Sequence, residues 1–184
     1  MGVIILDGAA RIRAGRCEPY KYPAGGGIHV LGIDASPVGT FHGILRLIIP
    51  TEAFNHMVGA AARRYPLEAC GIMMGRVSGA VGRVEYVREL RNIMGRPGSF
   101  WFSEREWMEK ILRGNELGYE YIGLFHSHDR DVALPSLSDR QRMLECPGEV
   151  WLILAYRPGR SPSATAWRVD DWGSSIIRVE VEVV

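Results

Sequence analysis

The chain has 184 residues, 47% of them hydrophobic and 23% charged, with a formal net charge of +1. That size suits one domain with its own core, and the near-neutral balance speaks against a nucleic-acid binder dominated by phosphate contacts. Three cysteines without a CxxC pair exclude a disulfide framework or a thiolate zinc site, although they leave room for one disulfide whose pairing the sequence does not choose.

The opening "MGVIILDGAARIR" has too short an apolar run and no basic region, so no signal peptide is expected. The longest strongly apolar run, "VWLILAY", is strand-sized and far short of a membrane span, and a soluble cytoplasmic protein is expected. Only four Asn plus Gln in all suit a thermophile poor in heat-labile amides, while twenty arginines against two lysines fit either such a source or a GC-rich genome.

Residues 1–43 read as an N-terminal extension of short strands and loops, rich in Gly and Pro. Its GGG precedes a β-like "IHVLGI" instead of a helix, which makes it a turn and not a phosphate loop. Residues 44–184 read as the main domain. "ILRLII" is a strand, and "TEAFNHMVGAAARRY" a helix with Phe54, Met57, Val58, Ala61 and Tyr65 on one stripe, stopped by Pro66. His56 on this helix is expected to be a partly exposed surface residue. "EACGIMMGRV" and "GRVEYVREL" follow as paired strands, and the nearby Arg83, Arg88, Arg91 and Arg96 read as a solvated face.

Ser103 and Glu106 match a capping box opening a helix whose apolar side is Trp107, Met108, Ile111 and Leu112, with Gly118 as its stop. Then come the strand "YEYIGLFHSH", a loop, a helix from Pro135 or Ser136 to about Glu145, and three strands. The last of these alternates Ile177, Val179, Val181 and Val183 against Arg178, Glu180 and Glu182, giving one dry and one wet face. The fold class is α+β, a mixed β-sheet flanked by helices.

On a strand, residues i and i+2 share a face, so His126 and His128 project together, with Ile122 and Leu124 expected beside them and Phe125 opposite. Two imidazoles at the end of a buried strand need partners for their nitrogens. A divalent metal is one such partner, and Asp139 offers a third ligand on the following helix, three residues from Ser136. The bland alternative is that Ser136 and Asp139 only form a capping box. Read alone, each half of this pattern is ambiguous.

A further carboxylate stands upstream, Glu68 in "PLEACGIMMG", at the start of a strand. The joint pattern of that Glu, then HxH, seven residues, Ser, two residues and Asp resembles the JAMM (MPN+) metalloprotease family over roughly residues 44–157. The resemblance implies a cytidine-deaminase-like architecture with one catalytic zinc ion held by His126, His128 and Asp139, Glu68 as general base and Ser136 as oxyanion donor. It implies an isopeptidase that cleaves a ubiquitin-like modifier from a target amine, in the compact form of archaeal or bacterial members, with neither nucleic acid nor membrane as partner. Cys70, on the face of Glu68, reads as a small buried hydrophobe. One departure is Asp129, where the family has Pro after the second His.

Two rivals share this pattern: a processing protease that trims the tail of a ubiquitin-like sulfur carrier, and a non-catalytic scaffold of the same fold. The scaffold is disfavoured because all five site positions are filled. HExxH zincins and zinc nucleobase deaminases fail for want of their motifs.

Overall fold

The computed structural model describes residues 43–184, together with the backbone of two short strands, β1 (Ile12–Arg13) and β2 (Arg16–Cys17), which pair antiparallel. The remainder of residues 1–42, including the Gly-Gly-Gly turn expected there, lies outside the described residues. The main body runs β3 (Arg46–Ile49), α1 (Thr51–Arg64), β4 (Cys70–Ser78), β5 (Val81–Leu90) and α2 (Glu104–Glu116). It continues with β6 (Glu120–His128), α3 (Leu137–Glu145), β7 (Val150–Ala155), β8 (Ser163–Val169) and β9 (Ile176–Val183).

The mixed sheet and its helices bear out the α+β expectation. The strand order is β3-β5-β4-β6-β7-β8-β9, and a parallel pairing of β9 with β3 closes the sheet into a barrel, which strand patterns alone do not reveal. β7 is buried along its whole length because both faces are covered, which explains its unbroken apolar run. On one face Leu47, Met73, Phe125 and Leu152 pack with Met57, Ala60 and Ala61 of α1. On the other, Ile72, Met74, Leu124 and Ile153 pack with Ile111 of α2 and Met143 of α3. Among the described residues no helix is long and apolar enough to cross a membrane.

Several expectations shift by a residue. Tyr65 is 41% exposed instead of completing the apolar stripe of α1, because it is the C-cap, where the backbone (φ −49°, ψ 134°) has already left the helix. Leu112 is also exposed, since α2 turns Ile111 and Gly114 inward; a Cβ on Gly114 would lie 2.2 Å from Met74 Sδ, so glycine lets this helix approach β4. Ser103 caps α2 by accepting from Glu106 N–H, but the reciprocal bond does not form. The Glu106 carboxylate instead accepts from Arg91 N–H and pairs with Lys110. Val183, the last apolar position of β9, is exposed.

The most consequential shift is a bulge in β6. Met73 pairs with Gly123 and Met74 with Tyr121, leaving Ile122 as an extra residue. A bulge breaks the two-residue period, so Ile122 packs with Phe125 and not with Leu124 as expected. Gly123 is required here, because a Cβ would sit 2.0 Å from Val150 O.

A partly buried polar relay links α2, β6 and the residue before β7. Trp107 Nε1 donates to the Tyr121 hydroxyl at 3.2 Å, and that hydroxyl donates to Glu149 Oε1 at 3.1 Å. Burial pushes the Glu149 carboxyl up to about 7, although the Tyr121 bond pulls the other way. With an unfolded value of about 4.3, the folded protein keeps a proton that the unfolded chain releases between those two pH values. Stability is therefore lost as pH rises from about 4.3 to 7, by up to roughly 4 kcal/mol. Glu149→Gln removes this ionisation, so denaturant midpoints of wild type and variant are expected to diverge at pH 8, with the variant more stable, and to converge at pH 4.5.

Candidate metal centre and its carboxylate neighbour

The antiparallel register of β4 and β6 pairs Cys70 with His126. Carried back two residues, it sets Glu68 opposite His128. Ser127, whose side chain points away from the histidines, fastens this end of the pair. Its Oγ accepts from Ala69 N–H at 2.9 Å, and its own N–H donates to Ala69 O at 2.9 Å. Strand pairing and one serine thus bring a carboxylate and an imidazole together from positions sixty residues apart in the chain.

α3 delivers the remaining residues. Ser136 is its N-cap and closes a full capping box with Asp139, as the sequence suggests. The Ser136 N–H donates to Asp139 Oδ2 at 2.7 Å and its hydroxyl donates to the same oxygen at 2.6 Å. The cap leaves the Asp139 carboxylate aimed inward, so capping and ligation are compatible roles. Asp139 Oδ1 lies 3.5 Å from His126 Nε2, and Oδ2 lies 3.4 Å from His128 Nε2. All five expected site residues therefore meet at one place, at the C-terminal end of β6.

Its chemistry can be tested against a metal ion. His126 Nε2 and His128 Nε2 face each other at 3.0 Å, both residues being buried. Two imidazole lone pairs at that distance repel unless a proton or a cation sits between them. Both Nδ1 atoms lack a hydrogen-bond partner, so neither nitrogen pair explains why the rings lie here. His126, His128 and Asp139 each present a ligand atom within 4.8 Å of the others. Two neutral imidazoles and one carboxylate form the donor set of an open zinc site, and the residues present fit the ion.

The electrostatics agree. Burial holds the His126 imidazole below its ordinary value even though Asp139 pulls the other way, which favours the neutral form that metal binding needs. Burial disfavours ionisation of Asp139, but hydrogen bonding to His126, His128 and Ser136 outweighs it and holds the carboxyl well below the usual range. Glu68 differs. Its carboxyl is 3.9 Å from His128 Nε2, and burial pushes it up to about 7 against the pull of His128. One carboxylate is held ionised and the other is poised to exchange a proton near neutrality.

Cys70 is free and buried, and burial first, then Glu106 and Glu68, push its thiol up to about 12. It is no nucleophile, as expected. Cys146, at the end of α3, is disulfide-bonded. Asp129, the departure from the family pattern, sits in a clamped loop. Arg157 Nε donates to the Asp129 carbonyl at 2.8 Å, its guanidinium reaches Asp131 at 3.3 Å, and Tyr156 N–H donates to His128 O. Those bonds do the work of fixing the chain after His128. His56 is exposed on α1 and pairs loosely with Glu89 at 3.7 Å. Of the arginine run, Arg88 lies over the Tyr86 ring and Arg83 lies near Glu85.

The loop between β5 and α2 holds residues that the motif does not include. The Phe100 ring stacks on His126 with centroids 4.5 Å apart and planes 22° from parallel. Arg142 of α3 donates to the Phe100 carbonyl at 2.9 Å and covers the Trp101 ring. Asn92 donates to the Glu68 carbonyl at 2.8 Å.

A family model described as prokaryotic homologs of the JAB domain matches residues 50–170. The chain is 31% identical over 108 residues to the Desampylase of Pyrococcus furiosus, covering 59% of this chain and 73% of that protein. It is 28% identical over 127 residues to the Desampylase of Haloferax volcanii, covering 68% and 88% respectively. Among solved structures, the solution structure of a protein from Desulfitobacterium hafniense superposes with a TM-score of 0.67 at 25% identity, covering 75% of this chain and 92% of that one.

Proposed function

The chain belongs to the JAMM/MPN family, among its prokaryotic JAB-domain homologs, and from that membership we propose that it is a zinc-dependent isopeptidase acting on a ubiquitin-like modifier. The bond cleaved is the amide between the modifier's C-terminal glycine and a target amine. The observation that carries this reading is the convergence of His126, His128 and Asp139 with Glu68 beside them. Kinship with two desampylases supports removal of a modifier as the reaction.

His126, His128 and Asp139 would hold the ion. When bound, zinc supplies Lewis acidity and lowers the pKa of a water to about 7, which makes a nucleophile available at neutral pH. Glu68 takes the proton of the attacking water and returns it to the leaving amine, so that one carboxyl serves as base and then acid. A carboxyl pushed up to about 7 suits both halves of that task. Ser136 supplies a hydroxyl to the oxyanion developing on the scissile carbonyl, a contact whose loss in other hydrolases costs roughly 2.7–4 kcal/mol. In this structure that hydroxyl is turned toward Asp139, so serving the substrate requires it to rotate. The Ser136 N–H keeps hold of Asp139 while it does so. No covalent enzyme intermediate is involved.

The test joins metal analysis to substrate cleavage. The purified protein is expected to carry about one zinc ion per chain, the single-ion stoichiometry of such sites, and to release a ubiquitin-like modifier from a lysine-linked conjugate. Absence of zinc affinity would make the chain a scaffold. Cleavage confined to a linear fusion would replace deconjugation with tail processing.

A further inference from the structure

Glu68 precedes the first ladder residue of β4, so the sheet does not secure its backbone. Ala69, next along, is held by Ser127, but the Glu68 carbonyl is taken by a side chain, Asn92. Cys70 pairs with Leu90 in the β4–β5 ladder, and the same register carried on places Asn92 beside Glu68.

A primary amide has two N–H donors and an oxygen with two lone pairs. Asn92 uses all four. Nδ2 donates to Glu68 O at 2.8 Å and to Ser99 O at 3.0 Å, while Oδ1 accepts from Met94 N–H at 3.0 Å and Trp101 N–H at 3.3 Å. A flipped amide would set donors against donors and acceptor against acceptors, so the orientation is unambiguous. Three of the four bonds shape the loop at 93–101, and the fourth crosses to the Glu68 backbone.

That loop touches every segment that carries a site residue. Asn92 ties it to Glu68, Phe100 stacks on His126, and Arg142 of α3 binds the Phe100 carbonyl. Only the first of these contacts reaches the proton-transferring group. A displacement of about 1 Å in a reacting group costs on the order of 10²-fold in rate.

We propose that Asn92 is the positioning residue of Glu68, setting where the base stands relative to the His126–His128–Asp139 cluster by gripping its backbone carbonyl from the β5–α2 loop. Asn92 touches neither substrate nor ligand atoms and acts only through Glu68. The inference rests on Glu68 being the proton acceptor, as proposed above.

Two variants of the full chain separate tethering of the base from upkeep of the loop. Asn92→Ala removes all four bonds. Asn92→Asp keeps the shape and the acceptor that receives Met94 and Trp101 N–H groups, so two of the three loop bonds survive, but it replaces the donor to Glu68 and Ser99 with a repelling oxygen. The probe is a synthetic peptide ending in Gly-Gly joined by an isopeptide bond to the lysine of a second peptide, assayed alongside zinc stoichiometry by mass spectrometry.

If Asn92 positions the base, both variants keep wild-type zinc content and a KM within about twofold, while kcat falls by roughly 10- to 100-fold in each. If Asn92 serves only the loop, Asn92→Asp, which keeps two of the three loop bonds, loses much less kcat than Asn92→Ala, and the proposal is overturned. Loss of zinc together with kcat in both variants overturns it as well. Glu68→Gln, run in parallel, keeps the two readings apart. An active Glu68→Gln enzyme removes the base assignment itself, whereas an inactive one beside a fully active Asn92→Asp enzyme removes only the role of Asn92.

Discussion

Glu68→Gln is expected to abolish hydrolysis while leaving metal binding intact. The two side chains have nearly the same volume, so packing around the 6%-exposed Glu68 changes little. The carboxyl lies 3.9 Å from His128 Nε2, while His126, His128 and Asp139 form the donor cluster without it. What the amide lacks is a site for the proton of the attacking water. A positioned general base contributes about 10²- to 10⁴-fold, and here the same group also protonates the leaving amine, so a loss at the upper end of that range is expected. Turnover of the isopeptide probe and zinc content, measured on the same preparation, check it. Near-normal turnover would refute Glu68 as the base.

His128→Ala is expected to lose both zinc and activity, with a distinct signature in stability. The wild-type cluster places two ring nitrogens 3.0 Å apart beside a buried carboxylate, an arrangement that a cation stabilises and that its absence leaves in conflict. A ligand that binds only the folded state stabilises by RT ln(1 + [L]/Kd), about 4 kcal/mol at a thousand times Kd. Chelation should therefore lower the melting temperature of the wild type by several degrees, and zinc should restore it. In His128→Ala the repulsion and the binding site disappear together, so chelator and zinc should each leave its melting curve unchanged. A variant that still responds to zinc would show that His128 is not a ligand.

How much of this was legible before folding depends on the range of the interactions. His126 and His128 could be assigned to one face because strand alternation is local, and Ser136–Asp139 could be assigned to a helix start because capping is local. Glu68 was recognisable only because its strand context and the later HxH, Ser and Asp together match a family pattern. The bulge at Ile122 was invisible, since it is a property of how β6 pairs with β4, a strand far back in the chain.

Asn92 was hidden for another reason. An asparagine just before a Gly- and Pro-containing stretch reads as an ordinary turn former, and nothing local distinguishes one that also grips a distant carbonyl. Phe100 carries no local signal either, although its ring lies flat on a metal-ligand candidate. Asp129 was a puzzle as a missing proline. The structure answers it with Arg157 and Tyr156, which fix by hydrogen bonds the stretch that a proline ring would otherwise stiffen.

The parallel seam between β3 and β9 bears on the order in which the molecule assembles. Thr51 Oγ1 bonds to Val184 O across 133 residues of chain, and every site residue is encoded between those ends. Closing so long a loop adds only about 0.6 kcal/mol per doubling of length, yet pairings this distant slow the conformational search far more than hairpins do. During synthesis the segments bearing Glu68, the histidines and Asp139 emerge before β9 exists. Until that strand docks, β8 and β3 present two unpaired edges to the solvent, each a template for a neighbouring chain. Docking of the eight-residue β9 therefore removes both edges at once and ends the exposure of a chain whose site residues are already made.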